Sequence, residues 1–219
     1  MRIYWELSPN TEIVPFNYQV ALVGALHRWL GENDLHDEIS LYSLSWLTGG
    51  QRRQGGLDFP GGSTFWLSTP DNQLLAEIMA GLQTGWHVRW GMEVQSVTLQ
   101  KTPNFGESQR FFAQSPVLVK RRQEGEAADQ YYYYNDDAAD ALLTETLRHK
   151  LRRAGRSEAV SVCFDRSYPK AKTRMVNYKG IKIRASSCPV IVSGDPAAVS
   201  FAWEVGVGNS TGIGFGALR

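Results

Sequence analysis

Residues 16–47 read FNYQVALVGALHRWLGENDLHDEISLYSLSWL, a helix followed by a strand, and that pairing decides the fold. In Phe16–Leu30 the apolar positions Leu22, Leu26, Trp29 and Leu30 recur at the spacing of one helix face, with Pro15 at the entry and Gly31 at the exit. Leu41–Leu47 reads as extended chain. Upstream, Arg2–Ser8 has the β-branched and aromatic content of a strand and is closed by Pro9-Asn10. Downstream, the Gly- and Arg-containing loop Gly49–Gly62 precedes a third strand, Gly62–Thr69. Residues 71–83 begin at Asp71 and put Leu74, Leu75, Ile78 and Leu82 on one helix face, and Trp86–Leu99 reads as one more strand. The order β-α-β-β-α-β is the ferredoxin-like unit.

The second half repeats the order. Val117–Lys120 and Tyr131–Tyr134 are expected to be extended, the four tyrosines as a buried strand. Asp136 and Asp137 are placed to cap a helix over 138–153, whose Leu142, Leu143, Leu147 and Leu151 form a buried stripe while Arg148, Lys150, Arg152 and Arg153 project outward. Ala159–Phe164 reads as a strand, Thr173–Ala185 and Pro189–Val192 as a hairpin or pair of extended segments, Pro196 to about Val205 as a short helix, and Phe215–Arg219 as a last strand. The expected fold is α+β: two tandem ferredoxin-like (RRM-like) βαββαβ units, 1–110 and 111–219.

Composition sets bounds. No apolar run approaches the length of a membrane span, and the first residues lack a signal-peptide layout. Cys163 and Cys188 are 25 positions apart with no CxxC. Two free thiols in a reducing cytoplasm, with no metal site and no cofactor, are expected. Charge is uneven: residues 1–100 carry 5 Lys/Arg against 10 Asp/Glu, residues 101–219 carry 18 against 12, and Arg148–Arg184 holds 12 basic residues with only Glu158 and Asp165 opposing. Such a segment attracts a polyanion; a solvated basic surface is the plainer alternative.

The stretch Gly206-Val-Gly208-Asn-Ser-Thr-Gly212-Ile-Gly214-Phe-Gly216 packs five glycines into 11 residues, which lets the backbone approach a ligand closely and turn N–H groups toward phosphate. It has no GK[ST], so it is not a P-loop, and Thr211 stands where a dinucleotide fingerprint needs its third glycine. Following Trp203-Glu204-Val205, this loop resembles the glycine-rich signature of the CRISPR repeat-processing endoribonucleases. Pro15-Phe16-Asn17-Tyr18-Gln19 entering a helix, and Leu35-His36-Asp37 before Leu41–Leu47, resemble the same family.

The resemblance implies RNA cleavage without a metal: the 2′-hydroxyl attacks the adjacent phosphate, leaving a 2′,3′-cyclic phosphate and a 5′-hydroxyl. That needs a base, an acid and support for the charged phosphorane. Histidine suits both proton transfers. By resemblance His36 is the family's catalytic histidine and His27 stands where members carry a tyrosine or histidine. His87 is expected to pack on its strand, and His149 to meet phosphate. The family's lysine, a few residues past the histidine, is missing, since the first lysine is Lys101. Tyr42 occupies the approximate position; Arg28, Arg52, Arg53, Tyr18 or a basic residue from the second unit are the other substitutes.

Arg166, Lys170, Lys172 and Arg174, then Lys179, Lys182 and Arg184 around Asn177-Tyr178-Lys179-Gly180, resemble the basic hairpin that grips the repeat; alternate positions share a strand face. With Gly206, Gly208, Gly212, Gly214 and Gly216 they form the expected RNA-binding set. CRISPR repeat RNA is the expected partner; a CRISPR effector complex and a second copy are the others the resemblance allows. A non-catalytic RNA-binding subunit of an effector is the rival reading, and a nucleotide-binding enzyme is disfavoured by the failed phosphate-loop patterns.

Overall fold

The computed structural model of the chain describes residues 1–31, 39–122, 125 and 128–219. The first unit contains β1 (Arg2–Leu7), α1 (Gln19–Leu30), β2 (Ser43–Leu44), a small hairpin of β3 (Gln51–Arg53) and β4 (Gly56–Asp58), β5 (Ser63–Ser68), α2 (Asn72–Leu82), β6 (His87–Arg89) and β7 (Met92–Gln100). Its antiparallel sheet runs β2-β5-β1-β7-β6. Period-two alternation puts Ile3, Trp5 and Leu7 of β1 inside. Trp5 meets Trp29 of α1 at 5.2 Å and Phe65 of β5 at 4.7 Å between ring centres. Burying each such side chain contributes about 1.5–3 kcal/mol, so this aromatic cluster fixes helix on sheet.

The second unit contains β8 (Ser108–Phe111), β9 (Val119–Arg122), β10 (Asp129–Tyr132), α3 (Ala138–Arg153), β11 (Val160–Phe164), β12 (Lys172–Tyr178), β13 (Ile181–Ser187), β14 (Val190–Gly194), α4 (Pro196–Val205) and a 3₁₀ turn, Thr211–Ile213. Its sheet runs β11-β14-β8. Residues 217–219 line the other side of β8's continuation: Phe112 and Arg219 exchange backbone hydrogen bonds of 3.1 and 2.9 Å, and Gln114 N–H donates to Ala217 at 2.8 Å. Asp195 caps α4 by accepting from the Ala197 N–H, with Pro196 at the first helical position. A separate core, centred on Leu143, Leu147, Leu151, Val190, Val192, Phe201 and Val205, fills this unit. Two ferredoxin-like units in tandem are therefore what the chain builds.

Several details differ from the sequence reading. β8, which spans the expected 110/111 division, pairs with the central strand β14 of the second unit; the stretch expected to open that unit instead forms β9, whose partner is β10 in a separate two-stranded sheet. Trp86–Leu99 is not one strand: Trp90 (φ 56°) and Gly91 (φ 71°) turn the chain between β6 and β7. Tyr131–Tyr134 are half-buried, with only Tyr131 and Tyr132 in a strand. Asp137 begins α3 without a side-chain cap bond, while the Asp136 carboxylate accepts from the Tyr133 N–H. Lys150 does not project outward; it is buried at 2% exposure. His87 lies on β6 but is exposed, 3.6 Å from Glu93.

The units are clamped together. The Arg2 guanidinium sits between the rings of Trp66 and Trp203, 3.5 and 3.7 Å from their centres, and donates to Leu218 O at 2.6 Å. Ser43 Oγ donates to Glu204 O at 2.9 Å, and Trp46 Nε1 donates to Gly214 O at 2.6 Å.

Candidate active site and nucleic-acid interface

A cavity of about 280 Å³ opens between the units, lined by His27, Ser40, Tyr42, Lys150, Ser210 and Thr211 among others. His27 is in the last turn of α1. Tyr42 stands at the entry to β2, and its burial holds the phenol above the ordinary tyrosine range, a Ser40 hydrogen bond opposing. It therefore keeps its proton at neutral pH and offers a donor. His36 lies outside the described residues.

Lys150 arrives from α3, one position before Leu151 on the buried stripe. Its Nζ donates to Val205 O and to Thr211 Oγ1, both at 2.9 Å, and Thr211 Oγ1 donates to Tyr42 O at 2.8 Å. A chain of hydrogen bonds thus runs from α3 through the glycine-rich loop to Tyr42 at the entry to β2. Burial lowers the Lys150 pKa to about 7. Among the described residues no carboxylate pairs with it.

The glycine-rich loop makes its close approaches to the protein itself. At Gly216 (φ 60°) a Cβ would stand 1.9 Å from Val207 O, and at Gly208 (φ 74°) 2.3 Å from Leu118 O. Gly206, Gly214 and Gly216 donate their N–H groups to Ala202, Thr211 and Pro116 carbonyls. A Cβ at Gly208 or Gly216 would force these backbone segments apart. What the loop contributes to the cavity is Gly208, Asn209, Ser210, Thr211 and Ile213, with Ser210 itself held in left-handed geometry at φ 60°.

The basic residues expected to bind RNA lie outside this cavity. β12 and β13 form a twisted ribbon closed by Lys179 (φ 50°) and Gly180 (φ 83°). Asn177 faces Lys182, and Met175 faces Arg184, so Lys172 and Arg174 lie on one face of the ribbon and Lys182 and Arg184 on the other. Lys172, Arg174 and Lys182 nonetheless line one groove of about 1080 Å³ with Phe16, Trp46 and Arg52 across from them. It continues past Trp46, Lys172 and Arg174 into a smaller hollow of about 290 Å³ with Lys170, Tyr168 and Arg219. Lys179, at the ribbon tip, and Arg184 are exposed outside both hollows. Arg166 stands apart as well: its guanidinium is held by Asp140 at 2.5 Å and by Asp136 O at 3.2 Å.

Sequence reasoning missed Lys150 as a cavity residue, the Phe16–Arg52 wall, and Lys120 and Arg121, which form a basic shelf with Arg148 and His149. That shelf adjoins the cavity through Ile39, Thr146 and Asn209. The Lys120-Arg121-Arg122 run was the available signal. Partners restrain part of it: Lys120 pairs with Asp129 at 2.6 Å, and Arg121 pairs with Glu145. Among the described residues no three His, Cys, Asp or Glu side chains converge as metal ligands, and no helix is long and apolar enough to cross a membrane.

The family model described as CRISPR associated protein Cas6, C-terminal, matches residues 100–219. Among solved structures, the product of a Cas6-related gene from Pyrococcus furiosus superposes with a TM-score of 0.86 at 18% identity, over 100% of this chain and 97% of that one. A RAMP protein described as binding different RNA substrates gives 0.86 at 18% identity, over 100% and 98%. A Cas6 product complex gives 0.67 at 15%, over 100% and 99%. At such identities the likeness concerns the fold. No curated protein matches the chain.

Proposed function

Since the chain belongs to the Cas6 family of CRISPR-associated proteins, we propose that it is a metal-independent endoribonuclease that cuts CRISPR repeat RNA inside the cavity between its two units. The observation that carries this reading is the convergence there of His27, Tyr42 and the glycine-rich loop. Cleavage proceeds by attack of the RNA 2′-oxygen on the adjacent phosphorus. One histidine removes the 2′-hydroxyl proton, and a second acid protonates the departing 5′-oxygen. His27 and His36 share these two tasks, since imidazole is the side chain that both takes and gives a proton near neutral pH. Tyr42, kept protonated by burial, donates a hydrogen bond to a phosphate oxygen rather than acting as a base.

The RNA strand leaves this cavity along the groove walled by Lys172, Arg174 and Lys182. There the cations neutralise phosphates, and the exposed Phe16 ring, with the Arg52 guanidinium 5.4 Å from its centre, offers a stacking surface for an unpaired base. Lys170, Lys179 and Arg184 extend the positive surface, and Arg166 supports it from its Asp140 pair.

The test is to incubate the protein with CRISPR repeat RNA in EDTA and map the ends. Discrete products with 2′,3′-cyclic phosphate and 5′-hydroxyl ends are expected, and a 2′-deoxy nucleotide at the scissile position blocks cutting. Normal cleavage of that deoxy substrate refutes the mechanism. A RAMP protein that binds RNA shares this fold, so binding without any cleavage would favour the non-catalytic reading.

A further inference from the structure

The position of Lys150 is the least expected feature of the cavity. On α3 it follows Ala139, Leu143 and Leu147 and precedes Leu151 along the buried stripe, a place where helix periodicity calls for an apolar side chain. Its two acceptors are a carbonyl and a hydroxyl, neither of which bears charge. A buried ammonium without a counter-charge is strongly unfavourable, and a methionine would fill the same volume without that penalty. The amine also lines a cavity open enough to admit a ligand. A charge that has no counter-charge among the described residues and faces a cavity is matched by an anion that enters it.

We infer that Lys150 is a positioning residue of this cavity: anchored by Val205 and Thr211, its ammonium supplies the positive field against which an RNA phosphate is set beside His27 and Tyr42. The inference rests on the endoribonuclease reading for the identity of the anion. Two routes transmit the effect. The field acts directly on phosphate oxygens in a low-dielectric site, where a fixed charge counts for more than in water. The second route is geometric. Because Thr211 Oγ1 accepts from Lys150, its single hydroxyl proton is committed to Tyr42 O, which holds the Tyr42 backbone against the loop.

This arrangement couples RNA to a proton. In the free protein burial brings Lys150 to about 7, so at pH 8 most molecules carry a neutral amine there. A phosphate in the cavity favours the ammonium and restores the proton. Among the titratable groups on the elements packed around it, His27 and Tyr42 share the cavity. Glu204 of α4 is engaged by the N-terminal amine and Thr102, Lys120 of β9 is paired with Asp129, and His149 lies on the outer shelf.

The decisive experiment is calorimetric titration of the whole protein at pH 8 with a repeat RNA made uncleavable by a 2′-deoxy nucleotide, in buffers of different ionisation enthalpy. Wild type should take up close to one proton more per RNA bound than Lys150→Met. In single-turnover cleavage of normal RNA, Lys150→Met should be slowed about 10²-fold or more with RNA affinity within a few-fold. Lys150→Arg, which stays charged, should recover part of the rate and take up no extra proton on binding RNA at pH 8. Equal proton uptake by wild type and Lys150→Met overturns the inference, as does full activity of a folded Lys150→Met protein. Wild type that binds and never cuts would sink the endoribonuclease reading alone, because proton uptake still decides the role of Lys150. Thr211→Val, which keeps the charge and removes the link to Tyr42, separates the two routes: unchanged proton uptake with slowed cleavage is expected, and loss of proton uptake on this substitution refutes the direct field.

Discussion

An ammonium buried with no counter-charge among the described residues should make this protein more stable as the solution turns alkaline, and Lys150→Met should abolish that dependence. Burial lowers Lys150 from 10.5 to about 7. Below pH 7 the lysine is charged in both the folded and unfolded chains, and the full penalty of burying it is present. Between pH 7 and 10.5 the unfolded chain holds a proton that the folded one has released, so stability rises with pH. Above 10.5 both states are neutral and the penalty is gone. Each pH unit in this window is worth about 1.4 kcal/mol, so the folded state should gain on the order of 3 kcal/mol between pH 7 and 9.5 from this residue alone. Urea unfolding of wild type and Lys150→Met at both pH values, at one ionic strength, isolates the effect, because every other titrating group cancels in the comparison. The variant also leaves Val205 O and Thr211 Oγ1 without a donor, about 1–3 kcal/mol each, which lowers its stability by the same amount at both pH values. Stability curves that stay parallel from pH 7 to 9.5 would refute the reasoning, for they would mean that the amine keeps its proton in the folded state.

Other outcomes follow from the same geometry. His27→Ala should slow single-turnover cleavage at least about 10²-fold while repeat affinity stays within a few-fold, and His36→Ala should do the same; a folded variant that cuts at the wild-type rate removes its histidine from the mechanism. Lys172→Ala, Arg174→Ala and Lys182→Ala should each weaken RNA binding and reduce the log–log salt slope by about one, as read from affinities at several salt concentrations. Three unchanged slopes would place the RNA elsewhere. Gly216→Ala should cost at least about 2 kcal/mol in denaturant unfolding, since the φ of 60° is strained for alanine and the new Cβ would sit 1.9 Å from Val207 O. Gly155→Ala is its control: φ is 65° but nothing lies within 4 Å, so only the backbone strain of about 1 kcal/mol is expected.

Much of the architecture was legible along the chain, and for local reasons. α4 runs from Pro196 to Val205 because a capping aspartate, a proline at the first turn and a terminating glycine are all signals within a few residues. α3 and α2 follow from leucine spacing, and the β12–β13 turn from Lys179-Gly180, whose glycine accepts the left-handed backbone that a tight hairpin needs. The glycine-rich loop was legible as a signature but not in its physical role. Its glycines look like a cradle for a ligand in sequence, whereas in the fold they let two stretches of backbone, 206–208 and 216, pack against each other and against Leu118 just before β9.

Other features were decided only when distant segments met. β8 reads as polar chain, Ser-Gln-Arg-Phe, and becomes a strand because β14, some eighty residues on, pairs with it. Opposite placement of the two basic pairs on the β12–β13 ribbon depends on register, which is set by the turn rather than by the composition of either strand. Lys150 shows the difference most clearly. In sequence it is one of several cations between Arg148 and Arg153, all of which a basic surface would display. In the fold Arg148, Arg152 and Arg153 remain exposed while Lys150 is turned inward, because a helix advances 100° per residue and α3 packs its Leu147–Leu151 stripe beneath Val205 and Thr211. By itself the sequence determined which segments could become helix or strand, since periodicity and capping are local energies. The charge that faces the cavity was decided by tertiary structure, since burial is a property of the partners that close over a side chain.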